Sequence, residues 1–448
     1  SGVYAAHRVD PAPGFQAFGA QAAADADMTA AACRDEAPLG DSRGRCRRRR
    51  VGPPAPAAER AVLYDAAGER WLDFRGLCRI LTADRLSSVP EVIEAAEQAV
   101  VRDGRVAAGF VSYEAAPAFD AALRVKADDS GFPLVCFMVF ERVVEVPAPG
   151  RGDAAPVGRA WTSPPAEAYR AGMSRIRDLI RSGDTYQVNY SCRLKCEPFD
   201  EDPWEAFRRL TWSQGAGYGG FMEVGGWTIC NASPELFFTL DDGRIVSKPM
   251  KGTAPRGRTL AEDRAMAQSL RDSAKEQAEN VMIVDMVRND LGRVAKTGSV
   301  KATRLFDIEK YPTLWQMTSR VEACTRAPLC RIFEALFPPA SITGAPKART
   351  MEIIAALESS PRRIYTGAIG FLLPGPRAQF NVAIRGLLID RARGRAEYGV
   401  GSGIVWDSTA DGERAEWSTK AGILRRSAPD FDLLETMLWD GRTGGFVL

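Results

Sequence analysis

The sequence predicts an α+β protein whose strands pair antiparallel. Two observations carry this. Strand-like runs fall in clusters joined by short turns, such as Asp241-Asp242-Gly243, which suit hairpins. The regular strand–helix alternation of a parallel sheet is missing. The 448 residues suffice for one large domain or a few smaller ones.

Taken in order, residues 1–58 are rich in Ala, Pro, Gly and Arg without an apolar period, and predict a disordered tail. Its basic run at 43–50 has no aromatic or helical pattern beside it and reads as flexible charge, not a nucleic-acid site. Order is expected from about Ala61-Val62-Leu63-Tyr64. Residues 59–148 then form an N-terminal part, with a helix over 92–101 and strands over 107–113 and 134–140. A Pro/Gly-rich link at 147–152 leads to a longer section, 155–424. There the helical period covers 166–182, 261–291, 329–336 and 348–357. Strand patterns cover 186–194, 219–224, 227–231, 236–240, 367–373, 381–389 and 395–400.

Composition removes several classes. A net charge of +2 gives no global pull toward nucleic acid or membrane. The apolar runs are too short to span a bilayer, and no N-terminal basic-then-apolar signal is visible, so a cytoplasmic home is expected. The nine cysteines are scattered, as reduced thiols would be. The only histidine, His7, lies in the tail. Ser-His-Asp and Cys-His catalysis and His-ligated metals are therefore excluded from the body. Acid–base work falls to Glu, Asp, Lys, Tyr or water, and any metal must be a hard one held by oxygens.

Several positions can carry chemistry. Lys251, in Lys248-Pro249-Met250-Lys251-Gly252-Thr253, is either a solvated lysine beside a glycine turn or a nucleophile. A nucleophilic lysine needs burial or a neighbouring cation to free its amine. Glu276 and Glu279, and likewise Glu413 and Glu416, are three apart, so each pair shares a helix face. If the two helices meet, four acids converge in a way that suits Mg²⁺. The alternative is a salt-bridged solvent face, with Lys275 and Lys420 as partners. The apolar positions of 282–290 continue the first of these helices as core, and Arg288, Asn289 and Asp290 read as its cap. Ser341-Ile342-Thr343-Gly344-Ala345-Pro346-Lys347 opens a helix, with Pro near its first turn. Its N-terminus is either an ordinary cap or a seat for an anion. Gly399-Val400-Gly401-Ser402-Gly403 lacks the last glycine of a dinucleotide loop, and reads as close backbone approach to a ligand or a strand. Arg385 and Tyr365 face either solvent or an anion.

In this order the motifs resemble one family. They are GDTYQVNYS (183–191), SPELFF (233–238), KPMKGT (248–253), KEQAENVMIVDMVRND (275–290), SITGAPK (341–347), RIYTGAIGF (363–371), NVAIRG (381–386), GSGIVWDS (401–408) and ERAEWSTKA (413–421). Over about 61–424 the chain resembles the chorismate-utilising enzymes, whose members make anthranilate, isochorismate, salicylate or 4-amino-4-deoxychorismate. The resemblance implies two large antiparallel sheets packed as a sandwich, with helices outside. It implies that Glu279 and Glu416 bind Mg²⁺ directly, and that Glu276 and Glu413 act through waters. Lys420, Gly401 and Gly403 would help hold the ring carboxylate of chorismate, and Tyr365 and Arg385 the enolpyruvyl carboxylate. Thr343 and Gly344 would lie against the substrate. Where isochorismate and salicylate synthases carry a water-activating lysine, this chain has Gln187. At the position of Lys251, anthranilate synthases resemble alanine and the synthases of 4-amino-4-deoxychorismate carry lysine.

Together these imply amination at C4, with Lys251, Glu235 and Thr253 as catalytic candidates. Anthranilate formation, or a silent homologue that only binds a partner, are the alternatives. Gln316 stands where many relatives have histidine. Without a histidine in the body there is no glutaminase here, so ammonia comes from solution or from a separate glutaminase subunit. No nucleic-acid or membrane partner is implied. Residues 429–448 resemble the opening of a pyridoxal-phosphate lyase domain, and are expected to be its truncated start.

Overall fold

The computed structural model describes residues 59–425 apart from 154 and 216, and the backbone of 438–440 and 445–447. The expected tail at 1–58 and most of 429–448 lie outside the described residues. Strand β1 (Arg60–Asp65) organises the rest, because both of its edges are paired. One edge meets β2 (Arg70–Ala83), which continues through β4 (Val135–Val146) to β3 (Val106–Val111). Helix α1 (Val89–Val101) links β2 to β3. The other edge of β1 meets β6 (Tyr218–Val224), which pairs in turn with β7 (Trp227–Ser233). Helices α2 (Ala166–Arg181) and α3 (Pro203–Gln214) flank β5 (Gln187–Cys196) in the intervening chain.

Beyond β7 the chain builds the second half of the sheet. The hairpin of β8 (Leu236–Asp241) and β9 (Arg244–Lys248) turns at Asp242 and Gly243, with φ of 43° and 74°. An Asp-Gly pair accepts such left-handed angles readily. β10 (Met250–Pro255) follows, then helices α4 (Leu260–Asp272) and α5 (Ala274–Gly292). β11 (Lys301–Lys310) pairs with β12 (Leu314–Cys324), which also pairs with β9 and β10. After α6 (Leu329–Leu336), the short β13 (Gly344–Ala345) and α7 (Lys347–Leu357), β14 (Ala368–Leu373) bonds to β3 and to β15 (Arg377–Val382). β15 closes onto β8. β16 (Gly386–Asp390) and β17 (Arg395–Ile404) return to the first half, where β16 pairs with β7 and β17 with β5. Helix α8 (Ala410–Ala421) ends the described body.

The result is an antiparallel sandwich with helices outside, and its two halves are hydrogen bonded through β1 into one 17-stranded order. Alternation along β1 shows how one strand serves two layers. Ala61 and Leu63 join Phe74, Phe110, Met222, Phe371 and Leu388 in the layer between the halves, while Val62 faces the other way. Outside that layer, α1, α5 and α6 bury Ile93, Ile283 and Phe333 on one half. On the other half α2, α3, α7 and α8 bury Ile176, Phe207, Ile354 and Trp417.

Two expected elements are divided. The helix expected over 261–291 is two helices, because Ser273 leaves the helical region (φ −69°, ψ 106°) and caps α5, its side chain accepting from the Glu276 N–H. Ser273-Ala274-Lys275-Glu276 is a capping-box sequence, so the break was readable. The strand expected over 381–389 is interrupted at 383–385, where Arg385 sits at φ 57°. That turn moves the chain from one half of the sandwich to the other. The helix expected over 348–357 begins at Lys347, with Pro346 as its cap, and ahead of it Gly344 and Ala345 extend to pair with Val188 and Gln187. Strands β1, β2 and β9 to β13, most of β15 and helix α3 have no counterpart among the expected elements. No helix among the described residues is long and apolar enough to cross a membrane.

Candidate active site

Both breaks serve one cavity of about 370 Å³, lined from both halves of the sandwich. The capping box starts α5 so that Glu276 and Glu279 fall in its first two turns. Helix α8, capped by Thr409 accepting from the Gly412 N–H, brings Glu413, Glu416 and Lys420 to the same space. The turn at 383–385 presents Arg385 there. A non-glycine residue at positive φ is uncommon, and such a residue marks a place the surrounding structure must enforce. Arg385 Nη1 donates to the Lys420 carbonyl at 2.8 Å, and the Tyr398 hydroxyl donates to the same oxygen at 3.1 Å.

Lys251 reaches the cavity from an irregular strand. The register of β10 against β12 shifts between Met250 and Thr253, and Gly252 takes φ 94°. A bulge of this kind re-aims side chains. Gln316 locks it, donating to the Gly252 carbonyl at 2.6 Å while accepting from the Thr253 hydroxyl at 3.1 Å. That task occupies both ends of the Gln316 side-chain amide. Among the described residues the Lys251 ammonium makes no ion pair, although Glu235, Glu276 and Glu416 are near enough to feel its charge. Lys420 is the contrast: it pairs with Glu416 at 2.5 Å and donates to the Gly401 carbonyl at 2.9 Å.

Glu235 lies in the link between β7 and β8 and is 3% exposed. Burial pushes its carboxyl up to about 7, against a hydrogen bond from Ser341 and the charges of Lys251 and Lys420. A carboxyl poised near neutrality can give and take a proton at working pH. The same shift sets the sign of a stability effect. Between about 4.5 and 7 the folded state keeps a proton that the unfolded chain has lost, so this group favours folding less as pH rises through that window. The Glu235→Gln variant is therefore expected to gain roughly 2–3 kcal/mol relative to the parent between pH 5 and 8. Glu114, also buried and raised to about 7, leaves part of the pH slope in place. Denaturant unfolding at the two pH values measures this, and a parallel loss of stability in both proteins would contradict it.

Besides Glu235, four glutamates face the cavity: Glu276, Glu279, Glu413 and Glu416. Glu276 is raised by burial, and the charges of Glu279 and Glu416 add to that. Burial also opposes ionisation of Glu416, but Lys420 outweighs it and the carboxyl ends below the usual range. Lys275 sits 3.9 Å from Glu279, so each helix pairs one glutamate with its own lysine, as the salt-bridge reading expected. Glu413 accepts from the Ser408 hydroxyl at 2.6 Å, while its second oxygen is buried without a partner. Among the described residues no three carboxylates stand in a ready ligating arrangement. The oxygen-only donors, their mutual repulsion and the orphaned Glu413 oxygen nonetheless fit a hard divalent cation.

Of the other sequence candidates, Tyr365, Thr253, Gly401 and Gly403 line the cavity, while Gln187, Thr343 and Gly344 do not. Thr343 is fully buried, its hydroxyl donating to the carbonyls of Pro339 and Ala340, and its own carbonyl accepting from the Asn189 N–H at 2.8 Å. Ser341 and Ile342 of that segment face the cavity instead, and both lie within the quoted motif. Asn189, Tyr398 and Ser408 are further wall residues that sequence reasoning did not single out. Of the two readings of the glycine run, close approach to a strand is what Gly401 shows. A Cβ on Gly401 would strike strand β5, 2.6 Å from the Tyr190 carbonyl oxygen. One on Gly403 would lie 2.5 Å from Lys251 Nζ and 2.4 Å from Gln187 Nε2. Both obstacles at Gly403 are ends of flexible side chains, so Gly403→Ala is expected to fold normally and to displace Lys251. Activity should fall roughly 10²-fold, as a misplacement of about 1 Å costs, with little change in melting temperature. Activity within a factor of about two would contradict the placement.

The fold and the cavity define a class. A family model described as "chorismate binding enzyme" matches residues 55–426, and the chain belongs to that family. It is 38% identical over 268 residues to aminodeoxychorismate synthase component 1 of Salmonella typhimurium, covering 59% of this chain and 58% of the relative. It is 40% identical over 262 residues to an anthranilate synthase component 1 of Haloarcula marismortui, covering 58% and 53%. The chain thus spans little more than half the length of these curated relatives. Among solved structures, anthranilate synthase component I from Streptococcus pneumoniae superposes with a TM-score of 0.65 at 25% identity, covering 86% of this chain and 96% of that one.

Proposed function

We propose that this chain is the chorismate-aminating component of an aminodeoxychorismate synthase, working in the cytoplasm toward 4-aminobenzoate and folate. The observation that carries the reading is the amine of Lys251, unpaired beside the cavity that Glu235 and the glutamates of α5 and α8 also line. Similarity to relatives named aminodeoxychorismate synthase component 1 supports it.

Glu279 and Glu416 would hold Mg²⁺ directly, and Glu276 and Glu413 through water. When bound, the ion supplies charge stabilisation at the ring carboxylate of chorismate. Arg385 and Tyr365 hold the enolpyruvyl carboxylate. Glu235 takes the ammonium proton of Lys251, the freed amine adds at C2, the two ring double bonds shift, and the C4 hydroxyl leaves as water with the proton that Glu235 returns. Ammonia then adds at C4, the double bonds return, and the Lys251 amine departs from C2. The proton lost by the incoming nitrogen passes through Glu235 and restores the Lys251 ammonium. The sum is chorismate and ammonia giving 4-amino-4-deoxychorismate and water. Two allylic displacements replace one difficult one. Gln187 cannot act as a base, which disfavours attack by water at C2. A separate glutaminase subunit supplies the ammonia.

Incubation with chorismate, Mg²⁺ and ammonium, followed by product identification, tests the reading. 4-Amino-4-deoxychorismate is expected. Anthranilate would instead support the second group of relatives, and a folded protein without turnover would support a silent homologue.

A further inference from the structure

Behind the wall that carries Tyr365 lies a charge cluster that the proposed chemistry does not use. Arg193, Glu358 and Arg362 are only 4%, 4% and 3% exposed. Arg362 grips both oxygens of Glu358, with Nη2 to Oε1 at 2.7 Å and Nε to Oε2 at 3.1 Å. Arg193 Nη2 reaches the same Oε2 at 3.4 Å. The Ser191 N–H and hydroxyl donate to Oε1 at 2.9 and 2.6 Å. Burial opposes ionisation of Glu358, but the two guanidiniums outweigh it and hold the carboxyl below its usual range.

One carboxylate therefore answers two guanidiniums. Among the described residues no other carboxylate bonds either guanidinium. Burial pushes Glu114 up to about 7, and it accepts from the Arg362 and Arg363 N–H groups. Glu397 and Asp128 are engaged by Arg363. Arg193 Nε is buried with no partner, beside a void of about 20 Å³ that Arg193, Asn231 and Tyr365 help to line. Buried ionic groups are often less stable than apolar packing of the same volume, and an uncompensated one more so. A cluster that retains this cost is a candidate for a function other than stability.

Its contacts say where that function lies. Arg362 donates to the Ile342 carbonyl at 2.9 Å and to the Asn189 carbonyl at 2.8 Å. The Arg193 guanidinium lies 4.4 Å from the centre of the Tyr365 ring. Ile342, Asn189 and Tyr365 are all wall residues of the cavity. Tyr365 is held from a second direction too, since a Cβ on Gly399 would lie 2.2 Å from its ring carbons. Burial pushes the Tyr365 phenol up to about 12 even though Arg193 and Arg362 pull it back, so the hydroxyl stays a donor at neutral pH.

We propose that Arg193, braced by Glu358 and Arg362, is the positioning residue that sets the Tyr365 hydroxyl against a substrate carboxylate. This rests on the chorismate reading, in which the ligand carries two carboxylates. A guanidinium stacked on a ring fixes the ring plane and adds an attraction that a desolvated site strengthens.

The test is a double-mutant cycle. Chorismate affinity by calorimetry with Mg²⁺, KM, kcat and melting temperature are measured for Arg193→Gln, Arg193→Lys, Tyr365→Phe and the combinations. Arg193→Gln is expected to weaken chorismate about tenfold with kcat within about threefold, and Arg193→Lys to restore part of the loss. In the Tyr365→Phe background the Arg193→Gln effect should fall to less than half. Equal effects in both backgrounds, or affinity unchanged within twofold, would overturn the proposal. If Arg193→Gln does not fold, the cycle with Arg193→Lys decides by the same criterion. A parent protein that binds no chorismate removes the functional reading and this inference with it. Parent binding that the variants leave unchanged removes this inference alone.

Discussion

Replacing Lys251 with methionine is expected to lower kcat for 4-amino-4-deoxychorismate by about 10³-fold or more, with chorismate affinity nearly unchanged. The expectation follows from the local structure. The side chain leaves a bulged strand whose irregularity is maintained by the hydrogen bonds of Gln316 to Gly252 and Thr253, and none of those bonds uses the amine. Methionine keeps an unbranched chain of similar length, so the bulge and the cavity wall are preserved. What disappears is the only lysine amine among the cavity residues that no carboxylate pairs, since Lys420 is tied to Glu416 and Lys275 lies near Glu279. Steady-state kinetics on chorismate and ammonium, with calorimetry for binding, checks this. Near-normal turnover would mean that ammonia reaches C4 without lysine chemistry.

The second large effect concerns the glutamates. Glu279→Gln and Glu416→Gln are each expected to raise the Mg²⁺ concentration for half-maximal activity by on the order of 100-fold, and together to remove the rise in melting temperature that Mg²⁺ is expected to give the parent. Each substitution removes a charged oxygen donor from a face where four carboxylates meet. Glutamine keeps the length and the helix, so loss of fold is not the cause. Glu416→Gln has a second consequence, because it leaves the half-buried Lys420 without its 2.5 Å partner. Its melting temperature without Mg²⁺ should therefore fall more than that of Glu279→Gln, whose lysine contact is longer, at 3.9 Å. A Mg²⁺ response equal to that of the parent in the double variant would remove the metal role from these residues.

Much of this site was legible in the sequence, for physical reasons that differ by residue. The helical spacing of Glu276 with Glu279 and of Glu413 with Glu416 fixes a shared face whatever the tertiary structure. That the two faces meet depends on α5 and α8 packing against different strands, which no local pattern states. The capping box at Ser273 was a readable signal, overridden by the continuous helical period on either side. Arg385 interrupts an apolar run, and its residue type alone did not reveal the left-handed turn that carries the chain between the halves. Gln187 and Gly403 are far apart in sequence, and pairing of β5 with β17 brings the Gln187 amide against Gly403 beside Lys251. Thr343 and Gly344 were read as substrate contacts, but their backbone is committed to β5, which leaves Ser341 and Ile342 as the cavity face. The sandwich itself rests on such non-local pairs, including β3 with β14 and β1 with β6, and those follow from registers that periodicity does not encode.

The proposed reaction turns on a covalent bond between Lys251 and the ring. Intact-protein mass spectrometry in the presence of chorismate and Mg²⁺, with ammonia excluded, tests it most directly. The predicted result is a mass increase equal to chorismate less one water, located by peptide mapping to Lys251 and discharged when ammonium is added. A protein that turns over normally with ammonium but never carries that mass, or carries it on another residue, would contradict the account.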